Sequence, residues 1–305
     1  MDLSLLLAER LLPLYGYVLL GFLAGRWLKV NRQDIARMVL FLIVPLMFFT
    51  SISVAPFDMR YLLLPVVTFC MAGLITAAAF QLVRPFYTDA HRYLIASTAG
   101  TGNTGYFGVP VFLAVAGAET LGVYILAMMG ITVFESVVGY YLISRGRHTV
   151  SESLKKLLRL PTLYAVAAGL VVNAIGIEAG ATITASLEQI RGAYVILGMM
   201  IVGLGLSTLQ RFTVDIKFTA CVFFQRFALW PLLGLAVLYA DRHWLHFFDA
   251  ISHQVVWVLA IVPLAANTVA FATEVNLHPE KVATAVLLST LLALLFIPLV
   301  LPLGV

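Results

Sequence analysis

Long, continuous apolar runs are the feature of this sequence that most limits what it can fold into. Ten such runs follow one another along 305 residues, and each is close to the roughly 20 residues that cross about 30 Å of hydrocarbon as a helix. The runs do not alternate apolar with polar residues, which favours helices over the strands of a membrane barrel. They lie near residues 11–29, 35–55, 61–84, 92–117, 120–144, 160–176, 189–209, 215–240, 251–272 and 280–303.

Composition supports a bilayer as the solvent of these runs. The chain is 62% hydrophobic and only 11% charged, whereas about one quarter of the residues of a typical soluble domain are charged. A water-soluble fold could not bury this much apolar surface, but the lipid bilayer accommodates it. We therefore predict an all-α membrane protein with ten transmembrane helices.

The positions of Lys and Arg predict how the spans are oriented. Of the 19 Lys and Arg residues, fourteen lie on the side of the loops after the odd-numbered spans, four lie on the opposite side, and Arg226 lies inside span eight. Because Lys and Arg accumulate in cytoplasmic loops, this split predicts a multi-pass cell-membrane protein with both termini outside. The basic residues form no continuous face, so the net charge of +4 does not indicate a nucleic-acid partner. No Cys/His spacing indicates a metal site, and no cofactor is expected.

A basic loop near residues 145–159 divides the chain into two halves of five spans, 1–150 and 151–305. An odd number of spans per half inserts the halves with opposite orientation, which predicts an inverted five-plus-five repeat, a common plan among transporters. Spans four and nine, each the fourth in its half, are the two most interrupted by Gly, Pro and Asn. Gly and Pro are also simply commoner in membrane helices, so it is the matching position of the two interruptions that favours a repeat.

Spans four and nine are predicted to be broken helices. Residues 100–110 hold four glycines and Pro110, and these residue types weaken a helix or remove its backbone donors. A break leaves free N–H groups at the start of one half-helix, where an anion is favoured. We expect both breaks to cross near the membrane midplane and bind the substrate there. The predicted binding residues of the two breaks are Asn103, Thr104, Gly105, Pro110, Pro263, Asn267 and Thr268.

Several of these polar residues allow two interpretations. Asn103 and Asn267 either bind the substrate or only satisfy the broken backbone. Glu135, in the middle of span five, is an ionisable residue at membrane depth, where such residues are costly and mark function. It is either protonated and able to carry a proton, paired with Arg226 of span eight, or facing the cavity. Arg226 either attracts an anionic substrate or extends to the membrane interface, and Tyr140 either touches the cavity or packs.

Three stretches of the sequence carry the pattern of one known family. They are residues 103–110 in span four, Arg226-Phe227 followed by Pro231 in span eight, and residues 271–280 with Ala283-Thr284 beyond them. Span two adds residues 44–46. On these residues the chain resembles the auxin efflux carrier family, which includes plant PIN-formed carriers and bacterial malonate-carrier-like proteins, and the ten-span plan covers the whole chain.

The resemblance implies a fold with crossed helices four and nine, as in sodium–proton antiporters and bile-acid symporters. Spans one, two, six and seven would form a scaffold, and spans three to five and eight to ten a mobile transport domain of an elevator-type homodimer. Asn103, Pro110 and Pro263 would be crossover residues. Glu135 and Tyr140 would lie where plant relatives place a polar amide and a Tyr near the substrate. Glu in place of an amide departs from the auxin-binding pattern and favours proton coupling, and the short loop after span five fits a bacterial carrier.

The sequence therefore predicts a transporter rather than an enzyme. The expected activity is secondary active or facilitative transport of a small organic anion, either auxin-like or a dicarboxylate such as malonate or malate. Two alternatives are a sodium-coupled symporter of the bile-acid type, which usually needs more oxygen ligands near the crossing, and a transporter-like membrane sensor. An intramembrane hydrolase is disfavoured because Asp58, Asp89, Asp215 and Asp241 lie in loops or at span ends.

Overall fold

The protein is helical throughout the part of the chain that its computed structural model describes. The described residues are 3–55, 58–87, 90–143, 158, 161–177, 181–207, 214–274 and 276–304. The structure is 86% helix, and no strand occurs among these residues. The predicted all-α class is therefore confirmed. The predicted boundary between the two repeats, within the loop at 145–159, lies outside the described residues.

The helices follow the predicted apolar runs. Numbered in chain order, they are α1 (Leu3–Trp27), α2 (Arg32–Ser53), α3 (Met59–Val83), α4 (Ala90–Ala99), α5 (104–116), α6 (Leu121–Ile143), α7 (Pro161–Ile175), α8 (Ala181–Ser207), α9 (Ile216–Leu245), α10 (Ala250–Ile261), α11 (Asn267–Glu274) and α12 (Pro279–Leu303). Among the described residues, six helices are long and apolar enough to cross a membrane: α2, α3, α6, the Glu188–Ser207 part of α8, α9 and α12. Ten crossings and an inverted repeat stay predictions.

Short acceptor side chains fix where several helices begin. Asn31 accepts a hydrogen bond from the Gln33 N–H at 2.9 Å before α2, and Asp215 accepts one from the Phe218 N–H at 3.0 Å before α9. Asp249 does the same for the Ser252 N–H at 2.8 Å before α10. Such caps satisfy N–H groups that have no partner within the helix.

Helix is interrupted at residues 100–103, between α4 and α5, and at 262–266, between α10 and α11. These are the places where Gly, Pro and Asn predict breaks. Turns of π-helix occur at Val39–Ile43 in α2, Thr104–Gly108 in α5, Glu135–Gly139 in α6, and at both Gln225–Leu229 and Asp241–Leu245 in α9. Turns of this kind are rare and occur frequently at functional sites, and two of them contain the ionisable residues that the sequence singles out.

The chain forms two compact units that interleave along the sequence. The first consists of Met1–Tyr61, Gly105–Leu126 and Leu160–Gln210, and the second of Leu62–Thr104, Ala127–Arg159 and Arg211–Val305. The predicted division into a scaffold and a mobile domain stays a prediction.

In the first unit, α1 packs along α8 and α7 packs along α2. The α1–α8 packing depends on small residues, since a Cβ on Gly203 would lie 1.9 Å from the Val18 carbonyl oxygen. Asn173 of α7 donates to the Ala55 carbonyl oxygen at 2.7 Å, just beyond the end of α2. Close backbone approach at small residues is typical of helix packing in membranes.

In the second unit, α3 packs against α4, α9 against α10, and α11 against α12. An apolar cluster fills the space between these helices, and it includes Leu94, Tyr140, Phe218, Leu264 and Val282. A buried hydrogen bond from the Thr68 hydroxyl to the Ala127 carbonyl oxygen, at 2.6 Å, joins α3 to α6. This packing holds both helix breaks within one unit, in the segments up to Thr104 and around Pro263.

Candidate functional site

The two helix breaks meet in the second unit. The Asn103 backbone N–H donates to the Pro263 carbonyl oxygen at 2.8 Å. The Thr101 and Thr268 hydroxyl oxygens lie 3.4 Å apart, and one donates to the other. The side chains of Asn103, Thr101 and Thr268 are all buried. The structure therefore brings together the parts of the predicted site that precede α5 and that lie between α10 and α11.

Arg226 lies at this meeting point, and its side chain is fully buried. The π-helical turn Gln225–Leu229 of α9 carries it. Its Nη2 donates to the Leu259 carbonyl oxygen at 2.7 Å, its Nη1 donates to that of Thr101 at 3.4 Å, and its Nε donates to that of Val262.

These three acceptors lie at or beyond the C-terminal ends of α4 and α10. Carbonyls at a helix C-terminus lack partners within the helix and carry a negative partial charge, which a cation stabilises. Arg226 thus caps both half-helices with a buried guanidinium.

Trp230, four residues after Arg226, completes this arrangement. Its indole Nε1 donates to the Ala99 carbonyl oxygen, the last residue of α4, at 2.6 Å. Its ring lies 4.8 Å from the Arg226 Cζ, within the range of a cation–π contact. Trp230 is not among the residues that the sequence predicts for the site. Its spacing from Arg226 is the feature that could have identified it, because residues four apart lie on the same face of a helix.

Glu135 begins the π-helical turn of α6 and is buried. Its carboxylate accepts a hydrogen bond from the side-chain amide of Asn267, while its Oε1 is buried without a hydrogen-bond partner. Asn267 is the first residue of α11, and its side chain is exposed. An orphaned buried oxygen costs about 1–3 kcal/mol or more when the group is charged. The pair therefore places one accessible amide group and one buried carboxyl oxygen without a partner at the start of a half-helix.

The remaining predicted residues have plainer surroundings. Tyr140 is buried in the apolar cluster, where its ring packs edge-on against Phe271 with centroids 5.4 Å apart. Thr104 is the last residue of a second-unit segment, and its N–H donates to the Gly102 carbonyl oxygen at 2.7 Å.

Gly105 and Pro110 belong to the first unit. There a Cβ on Gly105 would lie 3.2 Å from the Tyr194 hydroxyl oxygen. Pro110 is buried near the start of the α-helical part of α5, Val109–Ala116, directly after the π-helical turn Thr104–Gly108. Among the described residues, no group of three or more His, Cys, Asp or Glu side chains could hold a metal ion.

Comparison with known proteins gives the family of the chain. No curated protein matches the sequence. A family model described as "Membrane transport protein" matches residues 6–301, which is nearly the entire chain. Proteins of that family are transporters and not enzymes. The chain therefore belongs to the membrane transport protein family, the family of auxin efflux carriers, and is a multi-pass membrane transporter.

Proposed function

We propose that the protein transports a small organic anion and that transport is linked to a proton carried by Glu135. The hydrogen-bonded pair of Glu135 and Asn267 at the start of α11 is the observation that supports this proposal. Auxin-like monocarboxylates and short dicarboxylates such as malonate or malate are the candidate substrates. By family resemblance, we extend the proposal to elevator-type alternating access in a homodimer.

The start of α11 suits an anion. The helix dipole places partial positive charge at this end of α11, while the Thr268 and Val269 N–H groups of its first turn already donate to the Ala265 and Ala266 carbonyl oxygens, at 3.3 Å each. The exposed Asn267 side chain adds amide donors at the same point. A carboxylate would accept from the Asn267 amide and be stabilised by the dipole of α11, and both belong to the second unit.

The carboxyl group of Glu135 makes anion binding depend on a proton. Two negative charges about 5 Å apart repel by about 3 kcal/mol at an effective dielectric constant near 20. That repulsion lowers affinity by roughly 100-fold. An anion held by Asn267 therefore binds far more tightly when Glu135 is protonated, and by linkage the bound anion favours protonation. A proton and an anion that bind together also cross together.

Uptake into proteoliposomes tests both parts of the proposal. Labelled malonate, malate and indole-acetate are offered with and without an inward proton gradient, with sodium either present or replaced by a large organic cation. We expect uptake of at least one anion to rise with the gradient and to be unaffected by sodium. Glu135→Gln should keep measurable uptake and lose the response to the gradient, because a neutral amide cannot exchange a proton. Glu119→Gln is the matched control, since Glu119 is exposed, and it should behave as the parent.

Three contrary results would each contradict a different part of the proposal: the coupling ion, transport itself, or the role of Glu135. Uptake that requires sodium and ignores the proton gradient would favour the sodium-coupled symporter. Saturable binding of an anion without any flux would favour the membrane sensor. If Glu135→Gln responds to the gradient as fully as the parent does, Glu135 is not the proton carrier.

A further inference from the structure

The carbonyl groups at the C-terminal ends of the half-helices α4 and α10 carry partial negative charge, which a cation can neutralise. In transporters with broken helices, unwound carbonyls and the C-terminal ends of half-helices are the groups that coordinate sodium or other coupling cations. Each such end carries the equivalent of roughly half a negative charge. In this protein α4 and α10 both end at the crossing, so two such ends face the same small region of the second unit.

Arg226 and Trp230 occupy the acceptors that a metal cation would need. Three carbonyl oxygens, those of Thr101, Leu259 and Val262, accept from the guanidinium. The oxygen of Ala99 accepts from Trp230. The guanidinium is fully buried and cannot lose its charge in the protein. The guanidinium therefore supplies permanent positive charge at these carbonyl oxygens, whereas a metal cation supplies positive charge only while it is bound.

The backbone of the first break is shaped to receive this group. A Cβ on Gly102 would lie 2.8 Å from Nη2 and 2.9 Å from Cζ of Arg226, so the guanidinium lies directly against the glycine. Its planar fork directs N–H groups in several directions within one plane. That geometry matches carbonyl oxygens that come from two different half-helices.

We infer that Arg226 is a built-in cation of the crossover, which makes sodium or potassium unnecessary for this site. Its removal should leave a cavity lined by carbonyl oxygens that binds a small cation, and guanidinium should fit best. This inference concerns the coupling ion of the proposed transport function. Its main test, however, measures stability without substrate and does not depend on that function.

The experiment measures the thermal unfolding of purified protein in detergent, in chloride salts of sodium, potassium, N-methyl-glucamine and millimolar guanidinium. The parent should unfold at the same temperature in all four salts. Arg226→Ala should unfold on the order of 10 °C lower, because several charge-assisted hydrogen bonds are lost. Guanidinium should restore at least half of that loss, and N-methyl-glucamine should restore none.

Arg242→Ala is the matched control on the same helix. Arg242 is exposed and donates to the Gly304 carbonyl oxygen at 3.3 Å, so its removal should create no enclosed cavity and no response to guanidinium. Arg226→Lys covers the case in which the alanine variant does not fold. Lysine keeps the charge as a compact ammonium group, and this variant should fold with reduced stability and no requirement for sodium.

Three results would overturn the inference. The first is a parent protein whose stability depends on sodium or potassium. The second is an Arg226→Ala variant that responds to guanidinium no more than Arg242→Ala does. The third, if the alanine variant cannot be purified, is an Arg226→Lys variant that is stable only with sodium. Absence of organic-anion uptake would contradict the proposed function and leave these stability results intact.

Discussion

Gly102→Ala should weaken the crossover by displacing Arg226. The new methyl group would lie 2.8 Å from Nη2, 2.9 Å from Cζ and 3.0 Å from Nη1, whereas ordinary contact begins at 3.4 Å. The guanidinium must therefore retreat by about 0.5 Å, since contacts this short are strongly repulsive. Its hydrogen bond to the Thr101 carbonyl oxygen is already long, at 3.4 Å, so the retreat removes it.

The magnitude follows from the bond that is lost. A hydrogen bond from a charged group contributes about 1.5–3 kcal/mol. Alanine partly offsets that loss, by about 0.4–1 kcal/mol, because it restricts the unfolded chain more than glycine does. The net loss should be about 2 kcal/mol, which lowers the unfolding temperature by roughly 4–8 °C.

Thermal unfolding of four proteins measures this effect: the parent, Gly102→Ala, Arg226→Ala and the double variant. If the methyl group acts through the guanidinium, Gly102→Ala should cost almost nothing once Arg226 is alanine, and the coupling should be about 2 kcal/mol. Gly73→Ala serves as the control, because a Cβ there would lie 3.8 Å from the Phe134 ring, and should be neutral or stabilising. Equal penalties for Gly102→Ala with and without Arg226 would refute the reasoning.

Two further predictions concern other contacts of the second unit. Trp230→Phe loses the 2.6 Å hydrogen bond to the Ala99 carbonyl oxygen and should lower the free energy of unfolding by about 1–3 kcal/mol, measured by thermal unfolding. Trp244→Phe is the control, because the Trp244 side chain is 73% exposed, and it should change the unfolding temperature little. The Phe218 N–H and the Lys281 ammonium hold the pKa of Asp215 below its ordinary value. Its contribution to stability is therefore present above the unfolded pKa of about 3.9 and is lost as pH falls through the lower folded pKa. Asp215→Asn should unfold below the parent at pH 7, and the two unfolding temperatures should converge under acid conditions below about pH 4; a difference that stays constant down to pH 3 would contradict this.

The sequence is sufficient to predict the features that depend on nearby residues. Apolar runs indicate helices because hydropathy sums along a segment, and the Gly and Pro residues at 100–110 and at 263 indicate breaks because they act on their own backbone. The composition of the breaks also identifies Asn103 and Asn267 as polar residues that need a partner.

The pairings at the site could not be predicted in the same way. Arg226 is 125 residues from Thr101 and 36 from Val262, so no spacing rule connects them. For Arg226 the sequence suggests an anionic substrate or the membrane interface, and in the structure its guanidinium donates to three backbone carbonyl oxygens. Glu135 was considered with Arg226 as one partner, and the structure places it with Asn267. Such contacts depend on how helices pack, which single-sequence patterns do not contain.

The long separation between the two parts of the crossover also has a consequence for biosynthesis. The carbonyls of Ala99 and Thr101 emerge from the ribosome more than 120 residues before Arg226 and Trp230, which cap them. Until α9 is inserted, the end of α4 therefore has its polar backbone without these partners in or near the lipid, which is costly. The first break cannot be completed by the first half of the chain alone. The contacts that join the two breaks can therefore form only after most of the chain has been synthesised.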